Sequence, residues 1–140
     1  MFTIDNSTEF GARIERQLND ELVIWLTTVG KSGTPQPNPV WFSWNGSEIL
    51  VFSQPGKAKV HNIADQSRVA LNFNATHTGG DVGVITGEAV LDGKPATDEE
   101  FAAYNAKYAD GMAGLDLTAD AFHRDYSVLI RIRPDSLRGF

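Results

Sequence analysis

The sequence predicts a mainly β protein, a small antiparallel β-barrel with α-helices at its ends and between its strands. Three observations carry this. Six stretches are rich in β-branched and aromatic residues, several with apolar and polar positions in alternation. Turn-forming Gly, Pro, Asn and Asp cluster between them. Helical periodicity is confined to short segments, two of which open on the spacing of a capping box.

Asn6 and Glu9 have that spacing, and Phe10, Ile14 and Leu18 then recur every four residues, which predicts an amphipathic helix over 7–19. ELVIWLTTV (21–29) is the first strand and GKSG (30–33) its turn. TPQPNPVWFSW (34–44) reads as extended. Asn45-Gly46 signals a type I′ hairpin, and EILVFS (48–53) returns. A short helix near 58–65 precedes the strand RVALNFNA (68–75). After the loop THTGG (76–80), DVGVITGEAVLDG (81–93) is a long strand with glycines at expected bends. Thr97 and Glu100 form the second capping box, opening a helix to about Tyr108. The segment 109–117 reads as loop, Thr118 caps another short helix, and YSVLIRIRP (126–134) is the last strand. These are six strands in one domain, 1–140, with no internal repeat or linker.

A length of 140 residues suffices to bury a core, and 41% apolar with 21% charged residues is ordinary for a globular protein. The formal charge of −6 argues against nucleic acid as the main partner, because phosphate contacts need a basic face. The absence of cysteine excludes disulfides, thiolate metal sites and a cysteine nucleophile. MFTIDNSTEF lacks the basic and apolar regions of a signal peptide, and the apolar runs are too short to span a bilayer. The expectation is a soluble, cytoplasmic protein without a membrane partner.

Against this acidic background, VFSQPGKAK (51–59) stands out. A strand ends at Ser53-Gln54, Pro55-Gly56 turns the chain, and Lys57 and Lys59 flank the start of a helix whose far end carries Asp65. Helix dipoles favour the opposite placement of charge. Free backbone N–H groups beside two cations make a seat for phosphate, and a bound anion would relieve the mismatch. The alternative is a pair of solvated surface lysines. In TPQPNPVW, Pro35, Pro37 and Pro39 remove the N–H groups from one side of an extended strand. That strand is either an edge blunted against aggregation or a wall beside a flat ligand, with Asn38, Val40 and Trp41 nearby.

His61, His77 and His123 have no metal-ligand spacing, Gly79–Gly83 lacks the ending of a phosphate loop, and no nucleophile elbow occurs. The acids Asp98, Glu99 and Glu100 suit a helix start. No acid–base pair or nucleophile is evident, so an enzyme of this sequence would borrow its chemistry from a cofactor.

The succession GTPQPNPVWF, VFSQPGKAKVHNI, SRVALNF and VLIRIRP resembles the pyridoxamine-phosphate-oxidase-like split barrels, and more closely their deazaflavin (coenzyme F420)-dependent branch in actinobacteria. The resemblance spans about 8–140 and is most specific at Ser53–Ile63. It implies a six-stranded antiparallel split β-barrel of the FMN-binding type, acting as a homodimer with cofactor sites at the interface. It places Lys59 at the lysine that holds FMN phosphate in flavin-binding members. Lys57 stands where serine is usual, and Ala58 replaces an arginine, removing a bidentate clamp. The strand Gln36, Pro37, Asn38, Pro39, Val40, Trp41 matches the position beside the tricyclic ring. Ser53, Gln54, Lys57, Ala58, Lys59 and Asn62 complete the implied cofactor set. The implied activity is hydride transfer from reduced F420 to an electron-poor small molecule; no catalytic residue or proton donor is assigned, His77, Asp81 and Tyr126 being possibilities no better than solvent. An FMN oxidoreductase of the same fold, a non-catalytic cofactor or tetrapyrrole carrier, and a structural dimer are the rivals. The loop 109–117 and the terminal SLRGF (136–140) are the expected borders of a substrate pocket.

Overall fold

In the computed structural model, which describes residues 2–140, the expected helices and strands fold around one curled sheet. Helix α1 (Glu9–Asp20) is followed by β1 (Ile24–Val29), β2 (Pro35–Val40), β3 (Ser43–Trp44) and β4 (Ile49–Ser53). Then come α2 (Ala58–Asp65), β5 (Arg68–Asn72) and β6 (Gly83–Val90). Helices α3 (Asp98–Lys107), α4 (Ala109–Gly114) and α5 (Ala119–Asp125) lead to β7 (Val128–Gly139). The sheet order is β2-β1-β5-β6-β7-β4-β3 and every pairing is antiparallel. Among the described residues there are seven strands, where the sequence suggests six. The difference arises at Trp41-Phe42, where 34–44 divides into β2 and β3. These are the two edges of the sheet, so the chain crosses directly from one edge to the other, and the barrel is split there.

Burial follows the strand period. Alternate residues of β1 and β6 are buried, and Ile14 and Leu18 of α1 close over the same core, fully buried one turn apart. β4 is buried throughout because both its faces are covered. Ile49 and Val51 join the barrel core, while Phe52 packs with Tyr104, Tyr108, Met112 and Phe122 in a second, aromatic cluster beneath α3–α5.

At the split, Phe42 lies between β2 and β3 and helix α3 and its cap supply its backbone partners. The Phe42 N–H donates to Tyr108 Oη at 2.8 Å, and Tyr108 Oη lies 2.8 Å from the carbonyls of both Phe42 and Leu22. Lys107 Nζ donates to the Phe42 carbonyl at 2.9 Å and sits 3.8 Å from the centre of the Phe42 ring. Burial pushes the Lys107 ammonium down to about 8, against the opposing pull of Asp20 and Glu21.

Several local expectations are revised. Thr8, not Asn6, caps α1, its hydroxyl accepting from Gly11 N–H, while the Asn6 amide donates to Glu15. The hairpin at Asn45-Gly46 forms, but Gly46 alone of the two has positive φ, so the turn is not type I′. The Asn45 carboxamide oxygen accepts from the N–H groups of Ser47 and Glu48, fixing the turn instead. The capping box of Thr97 and Glu100 is formed, and Thr118 caps α5. The first six residues of 109–117 are helix α4 rather than loop. β7 continues past Pro134 because the β6 register shifts between Thr86 and Gly87, and Pro134 lies opposite Gly87 at that bulge. A Cβ on Gly87 would lie 2.2 Å from the Arg133 carbonyl oxygen, so only glycine fits.

No helix among the described residues is long and apolar enough to cross a membrane. Nor, among those residues, do three or more His, Cys, Asp or Glu side chains cluster as metal ligands would.

Candidate functional site

The strand end at Ser53, the Pro55-Gly56 turn and the start of α2 form one corner. Gly56 has φ of +76°, a backbone conformation that glycine takes without steric penalty. Lys57 occupies the N-cap of α2 and offers no side-chain cap; the Val60 N–H donates to the Lys57 carbonyl at 3.0 Å, and the N–H groups of Ala58 and Lys59 are left to another acceptor. The first turn holds no acid and the last turn no base, as the sequence indicated. Among the described residues neither Lys57 nor Lys59 is in a salt bridge. Lys59 is half-buried, and its ammonium is pushed below its ordinary value first by desolvation and then by Lys57. Two like charges converge without a counter-charge, the arrangement an anion stabilises.

This corner opens on a cleft of about 210 Å³. Pro39, Val40 and Trp41 line one side, and Ser53, Gln54, Lys57 and Lys59 the polar end. Seven residues singled out in the sequence therefore meet around one space. Gln36, Pro37 and Asn38 are exposed and continue the β2 edge away from that lining. Ala58 is exposed at the first position of α2, between the two lysines. Asn62 also lies outside the cleft lining. Its amide donates to Thr28 Oγ1 at 3.0 Å and Gln36 Oε1 at 2.7 Å, tying α2 to β1 and β2, and a Cβ on Gly30 would meet it at 2.7 Å.

β2 pairs with β1 alone, and Pro35, Pro37 and Pro39 stand opposite Val29, Thr27 and Trp25. Gln36, Asn38 and Val40 therefore supply the strand's ladder N–H groups, and its outer side offers only carbonyl acceptors. Both sequence-based readings of the triple proline, a blunted edge and a ligand wall, are compatible with this placement.

The remaining wall is aromatic and was not singled out as a whole from the sequence. Phe52, Tyr104, Phe122, Tyr126 and Leu115 complete the lining. Trp41 stacks on Tyr108 with centroids 4.6 Å apart and planes within 5°, and on Phe122 at 5.7 Å and 15°. Phe122 in turn stacks on Tyr126 at 4.4 Å and 10°. These four rings form a continuous, nearly parallel pile that fixes the Trp41 face. Gly111 of α4 lets the helix approach that ring, since a Cβ there would lie 2.8 Å from the indole. The segment 109–117 thus borders the cleft through Leu115. SLRGF does not: Phe140 pairs with Val82, and 136–139 pair with β6. Of the candidate proton donors Tyr126 lines the cleft. Asp81 instead pairs with Arg13 at 3.4 Å, and His77 lies on the exposed 76–80 loop, outside the lining.

An open antiparallel barrel with helices folded over its split defines the class of split-barrel proteins. A sequence profile of the pyridoxamine 5′-phosphate oxidase family matches residues 10–139, and the chain belongs to that family. It is similar in structure to an F420 reductase, with TM-score 0.65 and 25% identity over 89% of this chain and 94% of that one. It also resembles the heme storage protein HutZ from Vibrio cholerae, with TM-score 0.70 and 15% identity over 94% and 95% of the two chains. A third likeness is to conserved hypothetical protein Rv2991 from Mycobacterium tuberculosis, with TM-score 0.66 and 20% identity over 94% and 82%. No curated protein matches the sequence.

Proposed function

We propose that this protein is an F420-dependent oxidoreductase of the cytoplasm, acting on an electron-poor small molecule. The observation that carries the reading is the uncompensated pair Lys57 and Lys59 beside an aromatic cleft that contains no acid–base pair. The likeness to an F420 reductase supports it. The residues present suit the cofactor. The lysines and the free N–H groups of Ala58 and Lys59 would hold its phosphate, while Pro39, Val40 and Trp41 would flank its ring. Bound there, the reduced deazaflavin supplies a hydride. The chain's own part is to position the ring and acceptor and, through Phe122 and Tyr126, to exclude water.

Titration with F420 and with FMN, followed by tryptophan quenching, tests the reading, because Trp41 lines the cleft. F420 is expected to bind more tightly than FMN, and a preference for FMN would reverse the assignment. Binding of reduced F420 without its oxidation by any electron-poor acceptor would identify a carrier rather than an enzyme. Ala58→Arg restores the guanidinium that would clamp a phosphate bidentately, and FMN affinity is expected to rise about tenfold. Unchanged FMN affinity would clear Ala58 of any part in selection.

A volume of about 210 Å³ is small beside ligand pockets of about 300–1,000 Å³, and β2 presents its outer edge uncovered. We therefore propose a homodimer in which a second copy completes each cofactor site. Sedimentation at micromolar concentration is expected to give the mass of two chains; a monomer would leave the site to one chain.

A further inference from the structure

Of the apolar residues around the cleft, Val40, Phe52, Tyr104 and Phe122 are buried, so a ligand meets Pro39, Trp41, Tyr126 and Leu115. Pro39 is part of β2, and Trp41 and Tyr126 belong to the stacked rings. Leu115 is different. It is 52% exposed, one of three large apolar side chains among the described residues left so far in water. The other two, Leu22 and Phe140, do not line the cleft.

The local structure makes no use of the Leu115 side chain. Leu115 is the C-cap of α4, and Asp116 follows in the left-handed region, with φ of +56°. The Asp116 N–H donates to the Ala113 carbonyl and the Leu117 N–H to the Met112 carbonyl, each at 3.0 Å. This is a Schellman motif in which aspartate takes the place usual for glycine. Such a motif brings together the second residue after the cap and the third residue before it. Here those are Leu117 and Met112, and both pack in the aromatic cluster. The turn thus sends Leu117 inward and leaves Leu115 out of the core. Its position is nonetheless set. Gly111 brings α4 against Trp41, and Leu115 stands four residues on, one turn along the same face. The side chain therefore continues past the Trp41 ring to the mouth of the cleft.

We propose that Leu115 is a specificity-determining residue that grips an aliphatic substituent on the flat, electron-poor acceptor entering the cleft. The proposal rests on the reading of the cleft as a site for a redox cofactor and such an acceptor. An exposed leucine gains when apolar ligand surface covers it, whereas a charged substituent there would lose hydration without finding a partner. Charge in this cleft is received by Lys57 and Lys59 at the start of α2, a different element. The acceptor class is thus a neutral conjugated compound carrying an alkyl group, not a carboxylate or a sulfonate.

p-Benzoquinone and its tert-butyl derivative are suitable probes, titrated calorimetrically into F420-saturated wild type, Leu115→Ala and Leu115→Met. The alanine variant is expected to bind the tert-butyl probe about five- to tenfold more weakly, the loss for uncovering half a leucine side chain. It should bind p-benzoquinone almost as the wild type does. Leu115→Met keeps an apolar contact and should restore the affinity. In turnover with reduced F420 the loss should fall on KM and leave kcat unchanged, because the contact is the same in ground and transition states. F420 affinity and melting temperature should not change, since Leu115 lies outside the core. Unchanged affinity of the alanine variant for the tert-butyl probe, or an equal loss with both probes, overturns the proposal. A loss of F420 affinity also overturns it, by giving Leu115 to the cofactor, and a lower melting temperature does so by giving it to the fold. Failure of the wild type to bind F420 is a separate result against the cofactor reading, and the same comparison of probes on the cofactor-free proteins still decides for Leu115.

Discussion

Replacing Arg131 with alanine is expected to destabilise the protein by about 3–5 kcal/mol, the cost of breaking a buried ion pair by removing one partner. Arg131 is 5% exposed in β7, and all five of its N–H donors find acceptors. Nε donates to the Lys94 carbonyl at 2.8 Å. Nη1 donates to Glu48 at 3.1 Å and Glu100 at 2.9 Å, and Nη2 to the Pro95 carbonyl at 2.9 Å and Glu100 at 2.7 Å. Glu100 is also the returning arm of the α3 capping box, so the guanidinium anchors the helix that carries Tyr104. Arg131 chiefly holds the Glu100 carboxyl down to about 2, assisted by Thr97 and Asn45. A carboxyl lowered in the folded state stabilises above its ordinary value of 4.5, and that contribution fades as pH falls toward 2. Urea unfolding at pH 7 and pH 3 should therefore show wild type and variant far apart at pH 7 and closer at pH 3. Equal stabilities at pH 7 would remove Arg131 from this role.

Lys59→Ala is expected to weaken F420 binding by about ten- to a hundredfold, the range for hydrogen bonds to a charged group, while leaving the fold intact. The free protein should lose nothing in stability, because Lys59 has no carboxylate partner among the described residues and is repelled by Lys57. This opposition between the two readouts distinguishes a binding lysine from a structural one. The pH dependence has a definite sign. Lys59 is lowered from its ordinary value, so wild-type affinity should fall as pH rises through its depressed pKa, and the alanine variant should lack that component. Isothermal titration at several pH values measures both effects. Unchanged affinity for F420 would mean that the phosphate is held elsewhere.

The parts of the fold legible in the sequence are those where a local pattern and its tertiary use agree. β1 and β6 alternate because each has one buried face, and Thr97 with Glu100 caps α3 as the spacing required. The cation corner was legible because its residues adjoin one another and contradict the helix dipole. The aromatic wall was not. Tyr104, Phe122 and Tyr126 come from α3, α5 and the approach to β7; the first two read alone as ordinary core residues, and Tyr126 enters only in connection with proton donation. Helix α4 was read as loop because Gly111 and Gly114 lower its intrinsic propensity. Its packing on Trp41 is a long-range contact no local period records. The break at Trp41-Phe42 was equally hidden, since apolar residues run through it without a turn former.

That break also governs how the molecule opens. Tyr108 and Lys107 stand in for the strand neighbours that Phe42 lacks, so α3 cannot lift away without exposing the Phe42 amide and carbonyl. Helical cover and barrel seam thus form one cooperative unit rather than a lid on a finished scaffold. The exchange rate of a single amide hydrogen, that of Phe42, reports the breathing of the whole cleft wall.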